Sequence, residues 1–228
     1  MLEQGWLIKS LILPLQVFGR NGHQMDDEIG LFEAIYTQRA IRHLKTDPVP
    51  EETIRKLIEA ATKAPSGGNS QRWKFLVIPD ASTKVVISDY YLRAWEAAYG
   101  SQAASPPNIQ AHVRSSADHL ARNMADAPVL ILACLQHDGS PATMTRGSSI
   151  YPAVQNLLLA ARALGIGGTI TTLHAQVEER VHELLRIPET AQIVYCLPLG
   201  YPRGRFGPAQ RKPLPEVCSW DLWGNAFS

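Results

Sequence analysis

Apolar residues recur along the chain at helical and extended periods, and they predict its elements in order. Leu31, Phe32, Ile35 and Tyr36 have helical spacing, and the carboxylates of Asp26, Asp27 and Glu28 suit the N-terminal end of that helix, which should run to about Gln38. Ile54, Leu57, Ile58 and Ala61 form the buried stripe of a second helix, Glu51 to Lys63. Trp73 to Ile78 predicts a strand, Ala81 to Tyr99 a helix with an aromatic face (Tyr90, Tyr91, Trp95, Tyr99), and His112 to Met124 a further helix. Pro128 to Leu135 is a continuous apolar run, as expected of a buried central strand. Ser148 to Leu164, rich in Ala and Leu and apolar on nearly all sides, should be the most buried helix. Gly165 to Thr172 predicts a turn into a short strand, Gln176 to Leu185 an exposed helix, and Ile193 to Leu199 the last strand. Leu214 to Trp223 is an apolar tail, easier to bury against a second subunit than on one chain.

The breaks are as informative. Asp47-Pro48 marks a turn, and Pro65-Ser66-Gly67-Gly68-Asn69 cannot continue a helix. Gly100 to Asn108, with Pro106-Pro107, is a candidate lid, with the neighbouring aromatic helix as a candidate pocket wall. Helices outnumber and separate the strands, and no linker divides them, so one α/β or α+β domain is expected. Residues 1–24 read as an N-terminal extension, either disordered or the product of an over-called start, with the domain proper at 25–228.

Composition narrows the function classes. The 228 residues are 45% apolar, enough for a sizeable core, and a formal charge of +1 gives no global field for nucleic acid or an acidic membrane surface. No apolar run reaches the roughly 18 residues of a membrane span. Cys134, Cys196 and Cys218 are far apart and form no CxxC, so free thiols in a reducing compartment, the cytoplasm, are expected. His43, His174 and His182 are scattered, without metal-ligand spacing, and neither a GxSxG elbow nor a convincing cysteine nucleophile is present. The Gly165-Ile166-Gly167-Gly168 run follows a helix and opens a strand, the reverse of a dinucleotide fingerprint.

What remains is positive charge beside polar loops. Arg39 and Arg42, three residues apart, share one side if the helix end persists, and could grip a phosphate or form a solvated basic turn. Pro65 to Gln71 offers close backbone approach with hydroxyl and amide groups, or is an ordinary helix-to-strand loop. Arg203, Arg205, Arg211 and Lys212 form a second basic cluster, which would complete a phosphate pocket if it folded beside Arg39 and Arg42.

The chain resembles the nitroreductase family of FMN-dependent oxidoreductases from about Leu31 to Gly224. The resemblance rests on Arg39-Ala40-Ile41-Arg42 with Asp47 to Pro50, Ala64 to Trp73, Asn156 to Gly168, Leu199-Gly200-Tyr201-Pro202, and Arg211 to Val217. It implies an α+β fold with a central mixed sheet flanked by helices, and an intertwined homodimer with exchanged C-terminal arms and FMN at the interface. On that pattern Arg39, Ala40 and Arg42 bind the phosphate or ribityl end of FMN, joined by Arg211 with Lys212 beside it. Pro65, Ser66, Gly67 and Asn69 would reach the flavin of the opposite subunit. Ile170, Thr171 and Thr172 would follow the isoalloxazine ring, where a backbone amide meets N5. The implied chemistry is hydride transfer from NADH or NADPH to flavin N5 and on to a nitroaromatic, quinone or similar acceptor, with no protein nucleophile. Relatives of the same fold dehalogenate iodotyrosine-like substrates or consume their own flavin; flavin or deazaflavin binding without turnover is a further alternative. Ala40 stands where the family often has Ser, Arg72 where it has Pro, and Ala209 where some members carry a phosphate-binding Lys; Arg203 or Arg205 could compensate for the last.

Overall fold

A computed structural model describes residues 29–100, 111–139 and 147–227. The expected extension over residues 1–24 and all of the expected lid except Gly100 lie outside the described residues. The helices are α1 (Leu31–Thr37), α2 (Glu51–Thr62), α3 (Ala81–Tyr99), α4 (Ala111–Asn123), α5 (Ile150–Ala163) and α6 (Glu178–Leu185). The strands are β1 (Trp73–Ile78), β2 (Val129–Gln136), β3 (Gly167–Gly168) and β4 (Ala191–Gly200), in the sheet order β1-β2-β4-β3. The fold is α+β, and its three ladders are antiparallel. Parallel pairing enters at the isolated bridge Ala40–Gly168, within the arginine segment.

The continuous apolar run becomes β2, buried at every position except Gln136 because helices cover both faces of the sheet. Leu130, Leu132 and Cys134 join a core with Ile87, Tyr91 and Trp95 of α3, Leu120 of α4 and Val181 of α6. Val129, Ile131, Ala133 and Leu135 join a second core with Leu57 and Ala61 of α2 and Ile150, Val154 and Leu157 of α5. This is the period-2 alternation of a strand inside a three-layer sandwich. A register shift between Ala133 and Cys134, facing Tyr195 and Ile193, inserts an extra residue into β4.

The helices divide by what they cover. α2 buries Ile54, Leu57 and Ala61, while its outer face carries the Glu51–Arg55, Glu52–Lys56 and Glu59–Lys63 pairs. Those exposed pairs add only about 0.3–0.5 kcal/mol each, so packing holds the helix. α5 buries Ile150, Ala153, Val154, Leu157, Leu158 and Ala161, a stripe rather than the whole circumference, and leaves Tyr151 and Gln155 exposed. Asp80 caps α3 by accepting the Thr83 N–H. Further along α3, Lys84 is buried and donates to the carbonyls of Ala127 and Pro128, which ties the helix to the entry of β2.

The aromatic face of α3 packs into the core, where Tyr91 and Trp95 are buried and Tyr90 and Tyr99 lie against the same cluster, and the Trp95 indole N–H donates to Asp118. Trp95 and Tyr99 also line a cavity of about 470 Å³ with Gly100, Arg114 and Asp118, so part of this face is a pocket wall as well. α1 forms as expected, but its apolar face is unpartnered on this chain, with Leu31, Phe32 and Tyr36 about two-thirds exposed. The tail repeats the pattern, since Leu214, Val217, Trp220, Leu222 and Trp223 are all exposed.

Candidate functional site

The segment that follows α1 is extended, not the end of a helix, and its neighbours hold it on both sides. The Ile41 N–H donates to the Gly168 carbonyl at 2.9 Å, placing the segment along the edge of β3. The Lys45 N–H donates to Tyr201 at 2.7 Å, and the Arg203 N–H to His43 at 2.9 Å, placing it against the chain leaving β4. This closeness favours glycine at 167, where a Cβ would come within 2.9 Å of Ile41, and the pairing of β3 with β4 favours it at 168, where a Cβ would press on the Leu199 side chain and come within 2.9 Å of the Pro198 carbonyl oxygen. Ile41 and Leu44 are buried in the core, whereas Arg42 is half-buried and Arg39 exposed.

This arrangement opens a cleft of about 910 Å³ lined by Arg39, Arg42, His43, His112, Arg205 and Gln210, with Ala40, Pro208 and Ala209 among its apolar walls. Among the described residues that line it, none is a carboxylate. Arg39 Nη2 donates to the Arg205 carbonyl at 2.8 Å, which joins the two basic clusters of the sequence. Burial lowers the Arg42 pKa, the nearby Tyr91 phenol acts in the opposite sense, and a guanidinium keeps its charge at neutral pH regardless. His43 stacks on His119, ring centroids 3.8 Å apart. Burial, His119 and Arg203 all push the His43 pKa down, so it is neutral at pH 7. Forked cationic donors with no competing carboxylate suit a phosphate. A larger cleft of about 1280 Å³ surrounds α6, but Glu178, Glu179 and Glu183 alternate there with Arg180 and Arg186, so it offers no uniform field for an anion.

The other expected site residues fall in three places. Arg211 is exposed and donates to the Gln210 carbonyl at 2.8 Å, at the rim of the cleft and not among its lining. Arg205 takes the place expected of either tail arginine, because Arg203 Nε is committed to the Leu44 carbonyl at 2.9 Å. Thr171 is buried; its N–H and hydroxyl both donate to the Cys196 carbonyl, at 3.0 and 2.8 Å. Ile170 and Thr172 are the exposed positions of that stretch, and neither is among the lining of the cationic cleft. The Pro65–Asn69 loop lies elsewhere, at the start of α5, where the Gly67 N–H donates to Ser149 Oγ at 3.3 Å. Its shape is set internally: Gly68, Asn69 and Gln71 have positive φ, Ser66 Oγ accepts the Gln71 N–H, and Asn69 Oδ1 accepts from the Gln71 amide. The structure thus gathers Arg39, Ala40 and Arg42 into one cleft and leaves Pro65, Ser66, Gly67 and Asn69 outside its lining. His43 and His112 line the cleft without having been singled out for it, because only the packing of α4 brings His112 to the arginine segment.

The thiols Cys134 and Cys196 are buried, and burial pushes both up to about 12, which leaves them protonated and unreactive. Among the described residues no helix is long and apolar enough to cross a membrane.

Comparison with known proteins places these features in a wider set. The family model for the nitroreductase family matches residues 35–201. The chain is 32% identical over 197 residues to a 5,6-dimethylbenzimidazole synthase of Rhodospirillum rubrum, covering 82% of this chain and 86% of the relative. It is 28% identical to an NADH dehydrogenase of Thermus thermophilus, covering 82% of this chain and 94% of the relative. Among solved structures, a nitroreductase with bound FMN from Desulfitobacterium hafniense superimposes with a TM-score of 0.66 at 19% identity, covering 84% of this chain and 98% of that one.

Proposed function

The chain belongs to the nitroreductase family, and we propose that it is an FMN-dependent oxidoreductase that takes hydride from NADH or NADPH and reduces a nitroaromatic, quinone or similar electron-poor acceptor. One observation carries this reading: Arg39 and Arg42, on a segment fixed by β3 and the chain leaving β4, converge with Arg205 on a cleft with no carboxylate among its described lining residues. The fit to FMN is chemical. Arg39 and Arg42 would hold the phosphate, with Arg205 at their side and Arg211 at the rim. The Ala40 backbone lies between the two arginines, and the exposed Ile170 and Thr172 would border the ring. The FMN carried by the Desulfitobacterium hafniense fold neighbour and the name of the Thermus thermophilus relative support the cofactor and the donor.

Bound FMN would supply the two-electron chemistry, accepting hydride at N5 and passing it to the acceptor. This chain's part is to hold the anionic end, to exclude competing anions, and to present polar backbone at the ring edge. The Thr171–Cys196 hydrogen bonds fix the backbone between the two residues that would border the ring. Neither the buried thiols nor the buried His174 is needed as a nucleophile or base.

The assembly we propose is a homodimer. The exposed apolar face of α1 and the exposed tail are the surfaces a second copy would cover. The Pro65–Asn69 loop, outside the lining of its own chain's cleft, would serve the second copy's flavin.

The test is optical. Purified protein loaded with FMN should be yellow, bleach on addition of NADH or NADPH, and recover its colour when a nitro compound is added. Protein that cannot be loaded with FMN refutes the reading. Similarity to the Rhodospirillum rubrum synthase favours a second reading, in which flavin is consumed as substrate. Flavin recovered intact after many turnovers supports the reductase; stoichiometric loss of flavin supports the second reading. Yellow protein that neither nicotinamide bleaches supports flavin or deazaflavin binding without turnover.

A further inference from the structure

Arg162 sits in α5, a helix whose buried residues are all aliphatic, and its side chain is only 12% exposed. Its Nε donates to Thr37 Oγ1 at 2.7 Å, and its Nη2 to Glu33 Oε1 at 3.2 Å. Its guanidinium lies over the Phe206 ring, 4.3 Å from the centroid. Keeping a cation this poorly solvated is favourable only when partners engage it, and here a carboxylate, a hydroxyl and an aromatic face all do.

The partners share a location. Glu33 and Thr37 belong to α1, and Thr37 stands two residues before Arg39. Phe206 directly follows Arg205, the residue whose carbonyl accepts from Arg39. One guanidinium therefore links the two chain segments that carry Arg39 and Arg205 into the lining of the cationic cleft, from a helix that contributes nothing to that lining. An aliphatic residue at 162 would fill the space but could not hold α1 and the Phe206 loop at a set separation.

We propose that Arg162 is a positioning residue for the anion end of the site, setting the spacing between Arg39 and Arg205 that grips the phosphate. This rests on the reading that the cleft takes the phosphate of FMN. Its consequence is selective, because a misplaced wall harms the phosphate contact and spares contacts to the ring.

The experiment compares FMN with riboflavin, which has the same ring without the phosphate, on the full-length chain stripped of flavin. Arg162→Lys keeps the charge and loses the planar fork; Thr37→Val removes the hydroxyl that the fork engages. Each variant should lower FMN affinity about tenfold, the loss of roughly one charge-assisted contact, and leave riboflavin affinity unchanged. Equal weakening of both ligands, or FMN affinity that does not fall, overturns the proposal. Should the Arg162→Lys chain fail to fold, the same ratio measured on Thr37→Val decides. A wild-type protein that binds riboflavin as tightly as FMN would overturn the phosphate reading itself, and this proposal with it. A wild-type preference for FMN that survives both variants sinks the positioning role alone.

Discussion

Arg39 and Arg42 should not contribute equally to flavin binding, and the structure says which matters more. A charge-assisted hydrogen bond to phosphate is worth about 1.5–3 kcal/mol. At about 1.4 kcal/mol per tenfold, that is roughly 10- to 150-fold in Kd. Arg39 is exposed and already donates to the Arg205 carbonyl, so water screens what it offers an anion and the low end applies. Arg42 is half-buried, and burial is the leading cause of its lowered pKa. Its desolvation is incurred on folding and not again on binding, so its attraction for an incoming phosphate acts in a lower dielectric and the upper end applies. Arg39→Ala should therefore weaken FMN about tenfold and Arg42→Ala about 100-fold, with riboflavin affected by neither. Titration of flavin-free protein by quenching of FMN fluorescence measures both. Raising the salt concentration should erode the Arg39 contribution more than that of Arg42. An Arg39→Ala loss equal to or larger than the Arg42→Ala loss, or a matching loss for riboflavin, would refute the assignment of these two guanidinium groups to the phosphate.

Gly168→Ala would place a methyl group against the Leu199 side chain and 2.9 Å from the Pro198 carbonyl, so β3 must move off β4. Destabilisation of about 1–3 kcal/mol is expected by denaturant titration, with FMN affinity falling as Ile41 loses its register on β3; wild-type stability would contradict the packing account. Stability should also fall in mild acid. His43 and His174 are both held below the ordinary histidine pKa, chiefly by burial, so the folded chain takes up these protons less readily than the unfolded chain. The stability they contribute is complete above about pH 6.5 and is lost as pH falls through their lowered folded values. A melting temperature that stays flat down to about pH 5 would dismiss this account, and His174→Gln should make the decline shallower. Phe32→Asp, which puts a charge on the exposed face of α1, should convert a dimer to a monomer by light scattering and reduce FMN retention in parallel; a variant that stays dimeric with full flavin removes α1 from the proposed interface.

The fold was largely readable because its signals are local. β2 announces itself as an apolar run since both its faces are covered, and α2 and α3 as amphipathic helices since one side of each is packed. The Gly165–Gly168 turn was legible from chain order alone, following a helix and opening a strand. The cleft was readable only in part. Arg39, Arg42 and the tail arginines are visible as types, yet nothing in their spacing says that Arg203 would be occupied by the Leu44 carbonyl and Arg205 would line the cleft. The helix end that would have put Arg39 and Arg42 on one side does not persist, because pairing with Gly168 extends the segment, a long-range contact that overrides local preference. Arg162 was silent for the same reason: a lone arginine in an Ala- and Leu-rich helix carries no signal until Thr37, Glu33 and Phe206 are brought to it.

The two polar features of the sequence that look alike in composition are separated by the fold. Arg39 and Arg42 are tied to β3 and β4, at one edge of the sheet, whereas Pro65–Asn69 is tied through Ser149 to the start of α5. A helix-to-strand loop with no ligand to meet has little reason to hold Gly68, Asn69 and Gln71 in the left-handed region, where the two non-glycine residues carry a conformational cost. That cost, in a loop outside its own chain's cleft, is accounted for if the loop completes a site elsewhere. The exposed apolar residues of α1 and the tail would then have the same explanation, because the second copy proposed to cover them would be the copy whose flavin the loop reaches. On this reading flavin binding and dimerisation are linked equilibria: each contact across the interface also closes a site, and each bound flavin holds two chains together.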